Sequence, residues 1–139
     1  MKMRKGQVIV EFAIILPLLL VIMYGIIYSG MMFHDYSTLS NVARSGAREA
    51  AITSEAPTGD EKRYTSIENS YKEQLGNLMT SFYVPDTFVI KQVGTDGEGI
   101  EATINMKLTI RNFFIDMVMP PTVGVQYYMR KEPASSSTP

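Results

Sequence analysis

From Phe12 to Phe33 the chain places 22 residues in a row without a charge. A helix rising about 1.5 Å per residue carries such a run roughly 33 Å, enough to cross the ~30 Å hydrocarbon core of a bilayer. Length without charge argues against a buried core helix. A cleaved secretory signal fits poorly as well. Its apolar region runs about 7–15 residues and ends at small residues, whereas Ser29 and Gly30 lead into Met31, Met32 and Phe33. The run reads as a transmembrane span over residues 12–33 that stays in the mature protein.

Helical spacing continues past the span. Leu39, Val42, Ala43, Ala47, Ala50 and Ala51 fall on one stripe, while Asn41, Arg44, Arg48 and Glu49 lie mostly elsewhere. No proline interrupts residues 18–56. One long helix over residues 7–53 is expected, half in lipid and half outside. Its stripe is small, with Ala43, Gly46, Ala47, Ala50 and Ala51, and Gly25 with Ser29 repeats the device inside the span. Small residues admit a second backbone at close range, which marks Gly25, Ser29, Ala43 and Ala47 as helix-packing positions. The plainer reason is that alanine favours helix. Pro17 lies inside the span, where it removes one backbone donor and crowds the carbonyl of Ala13. A kink follows from this, or more sharply a hinge.

Residues 54–131 read as one small outer domain. Ser54–Lys62, with Pro57, Gly59 and three acids, is a loop. Thr65 followed by Glu68 matches a capping box. Ile67, Tyr71, Leu75, Leu78, Met79 and Phe82 then form one apolar face, so an amphipathic helix is expected from about Ser66 to Phe82, ended by Pro85. The period changes near residue 86. Thr87–Val93 is rich in strand formers, and Gly94–Gly99 reads as a turn. Ile100, Ala102, Ile104, Met106, Leu108 and Ile110 alternate strictly with polar residues up to Arg111, completing a hairpin. After Pro120-Pro121, Val123–Arg130 makes a third strand. A lone hairpin is marginal, so the expected fold is α+β: a long N-terminal helix, then one helix on a three-stranded antiparallel sheet. Residues 132–139 read as a polar, disordered tail.

Charge orients the chain. Lys2, Arg4 and Lys5 precede the span and Asp35 is the first charge after it, which puts the N-terminus inside and the C-terminal domain outside. Arg44 and Arg48 oppose this only from farther away. The whole chain of 139 residues carries −1; without the three leader cations the remainder carries −4, which implies no basic surface for nucleic acid. With no cysteine, disulfides and thiolate metal sites are excluded.

Catalytic chemistry is thin. His34, the only histidine, sits at the expected membrane boundary. Asp96, Glu98 and Glu101 crowd the turn but lack the spacing of a calcium loop. Of Tyr127-Tyr128, one ring is expected inward and the other outward. No enzyme, metal or cofactor is implied.

The junction before the span carries more information. A short basic leader stops at Gly6, and Glu11 follows five residues later, at the head of an otherwise apolar helix. A charged side chain inside a bilayer helix costs about 2.5–3.5 kcal/mol on insertion scales, so Glu11 needs a compensating partner. The arrangement resembles the processing site of type IV prepilins. The stretch Gly6–Leu20 with Glu11 and Pro17, then Tyr24-Gly25 and Asn41–Ala51, is similar to the TadE/TadF-like pseudopilins of the tight-adherence (Flp, type IVc) pilus system. The last strand, ending Met129-Arg130-Lys131-Glu132, also resembles that family. The resemblance is strong over residues 1–53 and in outline beyond.

The resemblance implies that residues 1–6 are a leader, cut between Gly6 and Gln7 on the cytoplasmic face by a prepilin peptidase. A glycine there lets the backbone enter the protease unobstructed. The new amine at Gln7 would neutralise Glu11 of the same or an adjacent subunit, so that Glu11 and Phe12 open the assembling face of the helix. Gln7 stands where better-known type IV pilins carry phenylalanine or methionine, so N-terminal methylation does not carry over. A mature chain longer than the major Flp pilins implies a minor, priming or tip component of the pilus in place of the repeating shaft subunit. Its implied partners are the peptidase, other pilin or pseudopilin subunits, the inner-membrane assembly platform and membrane lipid. The alternative is an uncleaved single-pass protein with a small outer binding domain.

Overall fold

The structure is a computed structural model that describes residues 3–80, 82–94 and 97–131. The expected tail over residues 132–139, the start of the leader at Met1 and Lys2, and Asp96 in the turn lie outside the described residues.

Helix α1 runs from Met3 to Ile52 with Pro17 inside it. It begins earlier than the sequence suggests, because the Met3–Lys5 leader is made of good helix formers and Gly6 alone costs only about 1 kcal/mol. Helix α2 spans Thr65–Leu78, β1 Tyr83–Val93, β2 Gly99–Leu108, α3 Phe113–Val118 and β3 Thr122–Arg130. The strands form one antiparallel sheet in the order β1-β2-β3. The α+β expectation of a long apolar helix followed by a three-stranded sheet is borne out.

Register explains the core. Phe88 and Ile90 of β1 lie opposite Ile104 and Ala102, which in turn face Val125 and Tyr127 of β3. Alternation along β2 therefore buries Ile100, Ala102, Ile104, Met106 and Leu108 together. A bulge between Pro85 and Thr87 switches the inward parity of β1, so that Tyr83 and, past the bulge, Phe88 and Ile90 are all buried. Pro85 thus sits within a strand, where the irregular register tolerates its missing donor.

The outer part of α1 lies on this sheet. Leu39, Val42, Ala43, Ala47, Ala50 and Ala51 join the same buried cluster as the strand residues, with Ile67 and Leu75 of α2. Gly46 marks a close approach, since a Cβ there would stand 2.9 Å from Cδ1 of Ile90 and 3.2 Å from Cζ of Phe88. The small stripe is thus covered by the chain's own sheet, and the folded head takes in residues from Asp35 onward as well as those after the loop.

Three local expectations change. Helix α2 stops at Leu78, short of Phe82, because the next free backbone N–H, that of Thr80, is taken by Asp35 instead of a carbonyl one turn back. The Thr65/Glu68 capping box does not form: Tyr64 occupies the cap position with no side-chain bond, and Glu68 turns into the core instead. Strand β2 ends at Leu108, whose N–H donates to Pro121 O, while Thr109 N–H donates to Phe82 O; Ile110 is exposed. Helix α3, which the sequence pattern did not suggest, is capped by Asn112, whose Oδ1 accepts from Ile115 N at 2.9 Å.

Candidate functional site: the exposed half of the long helix and its junction with the head

The two halves of α1 differ in what surrounds them. An 18-residue window of mean hydropathy 2.5 lies in its N-terminal part with none of its residues buried, and by length and composition this helix suffices to cross a membrane. Val8, Phe12, Ile14, Leu18, Ile22 and Ile26 are all exposed. A continuous apolar sleeve of this size is not left to water in a soluble monomer. Gly6, Gln7 and Glu11 stand exposed at its head, and none of the described residues packs within 4 Å of a Cβ placed on Gly6.

Along the sleeve, Gly25 is half-buried and Ser29 exposed, and a Cβ on Gly25 would likewise meet nothing within 4 Å among the described residues. Ala43 and Ala47, by contrast, are fully buried under the sheet. The four small residues singled out from the sequence are therefore not one surface: two are filled by the head and two remain open. Pro17 and Gly25 line an apolar cavity of about 340 Å³ together with Tyr24, Tyr28, Asn112 and Met117. Tyr24 and Tyr28 stack at 6.1 Å, and Tyr28 meets Phe82 edge-on at 5.3 Å.

The junction is fixed by a residue whose sequence signal was only its charge. Asp35 is fully buried. It accepts a hydrogen bond from Thr80 N at 2.8 Å and another from Thr80 Oγ1, with His34 Nδ1 3.4 Å away. Burial, with Asp35 nearby, pushes the Tyr83 phenol up from its usual range. Tyr83 in turn donates to Pro120 O at 2.9 Å. Sequence position cast Asp35 as a topology marker; its burial depends on a partner in the chain far downstream.

A second buried acid holds the head's edge. Glu68 receives Arg63 Nε at 3.1 Å and Nη2 at 2.7 Å, a forked pair, and also accepts from Ile90 N at 2.8 Å. Tyr64 N donates to Ile90 O and Gln92 N donates to Lys62 O, so residues 62–64 cover the outer edge of β1. The bond to Glu68 keeps Arg63 further into its cationic range. On the helix, Tyr71 OH donates to Glu49 at 2.8 Å, and burial followed by that carboxylate raises the phenol's pKa. Arg44 lies over the half-buried Tyr127 ring at 5.6 Å, while Tyr128 is exposed.

His34 lies on the exposed surface of α1, and among the described residues no three His, Asp or Glu side chains gather at metal-binding distance. What the chain presents is an apolar rod, with a glycine and an acid at its head, that continues without a break into a small folded head.

No curated protein and no solved structure matches this chain. Residues 6–48, from Gly6 to the sheet-covered part of α1, match the family model described as TadE-like protein, and the chain is consistent with a TadE/TadF-like protein of the Tad pilus.

Proposed function

We propose that this chain is a minor pilin or pseudopilin, a structural subunit needed to assemble or prime a Tad/Flp-type adhesive pilus. It inserts in the cytoplasmic (inner) membrane with its N-terminus inside and its head outside. A prepilin peptidase cuts between Gly6 and Gln7, and the mature subunit then meets other pilin subunits and the assembly platform through its apolar helix.

One observation carries this reading: the apolar half of α1 is unburied along its length and opens with Gly6, Gln7 and Glu11. A helix that only anchors a domain has no use for an acid in its first turns, where it adds to the cost of insertion. Once the Gln7 amine is released, an ion pair across neighbouring helices gives Glu11 a counter-charge.

The test is the mass of the N-terminus. Expressed without a prepilin peptidase the chain stays intact; with the cognate peptidase it starts at Gln7. Gly6→Leu blocks processing and leaves membrane insertion unaffected. An uncut chain in the presence of the cognate peptidase supports instead a single-pass membrane protein with an outer binding domain.

A further inference from the structure

Helix α3 has two faces. Ile115 and Met119, its C-cap, are buried in the core at 2% and 3% exposure. Phe113 and Met117, one turn apart, project on the other side at 77% and 62%. The segment is also placed low on the molecule. Met117 and the cap residue Asn112 line the cavity with Pro17, Tyr24 and Tyr28, so α3 lies beside the apolar sleeve and not at the far end of the head. Tyr28 and Met32 already pack against the core of the head, so the lipid-facing length of α1 runs from about Val8 to Tyr28, roughly 30 Å at a rise of about 1.5 Å per residue, and α3 lies beside its outer part. The stacked Tyr24 and Tyr28 suit that level, since aromatic rings with a polar tip collect at the membrane–water boundary. Polar groups flank the apolar pair: exposed Arg111 holds Asp116 at 3.3 Å.

We infer that α3 is a membrane-dipping element, which immerses Phe113 and Met117 in the outer leaflet beside the span and keeps Arg111 and Asp116 among the lipid headgroups. This rests on the membrane-spanning reading of α1 given above. Lipid is the occupant because the exposed face of α3 is continuous with the exposed sleeve and lies at the same level along it. Ile115 and Met119 tie α3 to the core, so immersion also sets the height and tilt of the head over the bilayer. Before assembly, the subunit is thus held at two places, and leaving the membrane requires withdrawing both.

The chain contains no cysteine, so single reporters can be introduced. Phe113→Cys, Met117→Cys, Leu16→Cys in the span and Gln126→Cys on the exposed face of β3 are each labelled with an environment-sensitive fluorophore. The full chain is reconstituted at low density in vesicles of phosphatidylethanolamine and phosphatidylglycerol. Quenchers are a nitroxide tethered high on the lipid acyl chain, one tethered deep, and aqueous iodide. The expected result is severalfold stronger quenching of 113 and 117 by the shallow nitroxide than by iodide, of 16 by the deep nitroxide, and of 126 by iodide alone. If 113 and 117 behave like 126 while 16 keeps its lipid signal, the inference is overturned and the spanning helix stands. If 16 also loses its lipid signal, the membrane reading falls with it. Shielding of 113 and 117 from iodide that appears only at high protein density, without lipid quenching, identifies a second copy as the occupant and overturns the lipid assignment.

Discussion

Asp35 of α1 holds Thr80, 45 residues away, by both carboxylate oxygens, one receiving the backbone N–H and the other the hydroxyl. This single contact ends α2 and ties it to the long helix where the apolar span passes into the head. A hydrogen bond to a buried charge is worth about 1.5–3 kcal/mol. Asp35→Ala is therefore expected to destabilise the head by about 2–4 kcal/mol, since it also leaves the Thr80 N–H unsatisfied. Thr80→Val, which loses only the hydroxyl bond, should cost about half as much. Thermal unfolding of the full chain in detergent, followed by circular dichroism, measures both; membrane insertion stays unchanged.

Glu68→Ala should cost about 2–4 kcal/mol, because it strands the Ile90 N–H and leaves Arg63 without its forked partner. Glu68→Gln retains an acceptor for Ile90 and should recover part of the loss. An equal loss in both variants, read from denaturant midpoints, would show that the charge and not the acceptor matters.

Tyr64 is buried, and its hydroxyl finds no hydrogen-bond partner among the described residues. An unsatisfied buried hydroxyl is a cost that phenylalanine removes at nearly constant shape. Tyr64→Phe is expected to leave stability unchanged or raise it by up to about 1 kcal/mol. A loss of more than that would reveal a partner for the phenol.

Much of the fold was legible because its signals are local. The period-2 run from Ile100 to Leu108 states which side of β2 is buried, and every apolar member of it is. The Gly6–Glu11 head is visible for the same kind of reason, as a break in an apolar string. Asp35 was not legible: a charge just past a span reads as a topology signal, and only Thr80, contributed by another element, makes it a buried anchor. Glu68 misled for the opposite reason, since its capping-box spacing was overridden by tertiary partners at Arg63 and Ile90. Helix α3 hides because Phe-Phe-Ile-Asp-Met-Val is apolar on both sides and shows no period, although Asn112 was a cap signal in plain view.

Glu101 sits on the solvent face of β2, where Gln126 Nε2 at 2.7 Å, then Lys91 and Thr103, hold its carboxyl below the usual range against the opposing effect of burial. A carboxyl whose folded pKa is lowered stabilises the protein above its unfolded pKa of about 4.3, and that contribution fades as pH falls through the lowered folded value. Glu101→Gln should therefore cost about 0.5–1.5 kcal/mol at neutral pH, with the gap to the native protein closing below about pH 4. Paired thermal melts at pH 7 and pH 3 decide it; a gap that persists in acid means the loss is steric.

Glu11→Gln keeps shape and hydrogen bonding but deletes the charge. Under the proposed function it should leave insertion and cleavage intact and sharply reduce pili in sheared surface fractions, with processed subunit accumulating in the membrane. Normal pili and normal adherence in this variant would mean that Glu11 is only an interfacial acid and that charge pairing does not guide assembly.

Helix α1 passes from the sleeve to the sheet-covered stripe as one unbroken element of 50 residues. With Gly46 letting the strands sit against it, no loop separates shaft from head beyond Pro17. Rotation about the helix axis is therefore transmitted whole: each residue of axial slippage at the membrane end would turn the head by about 100° and lift it by about 1.5 Å. In a fibre of the proposed kind, the azimuth at which the head faces outward would then be dictated by the registry of its apolar end, as the bit of a key is aimed by its stem.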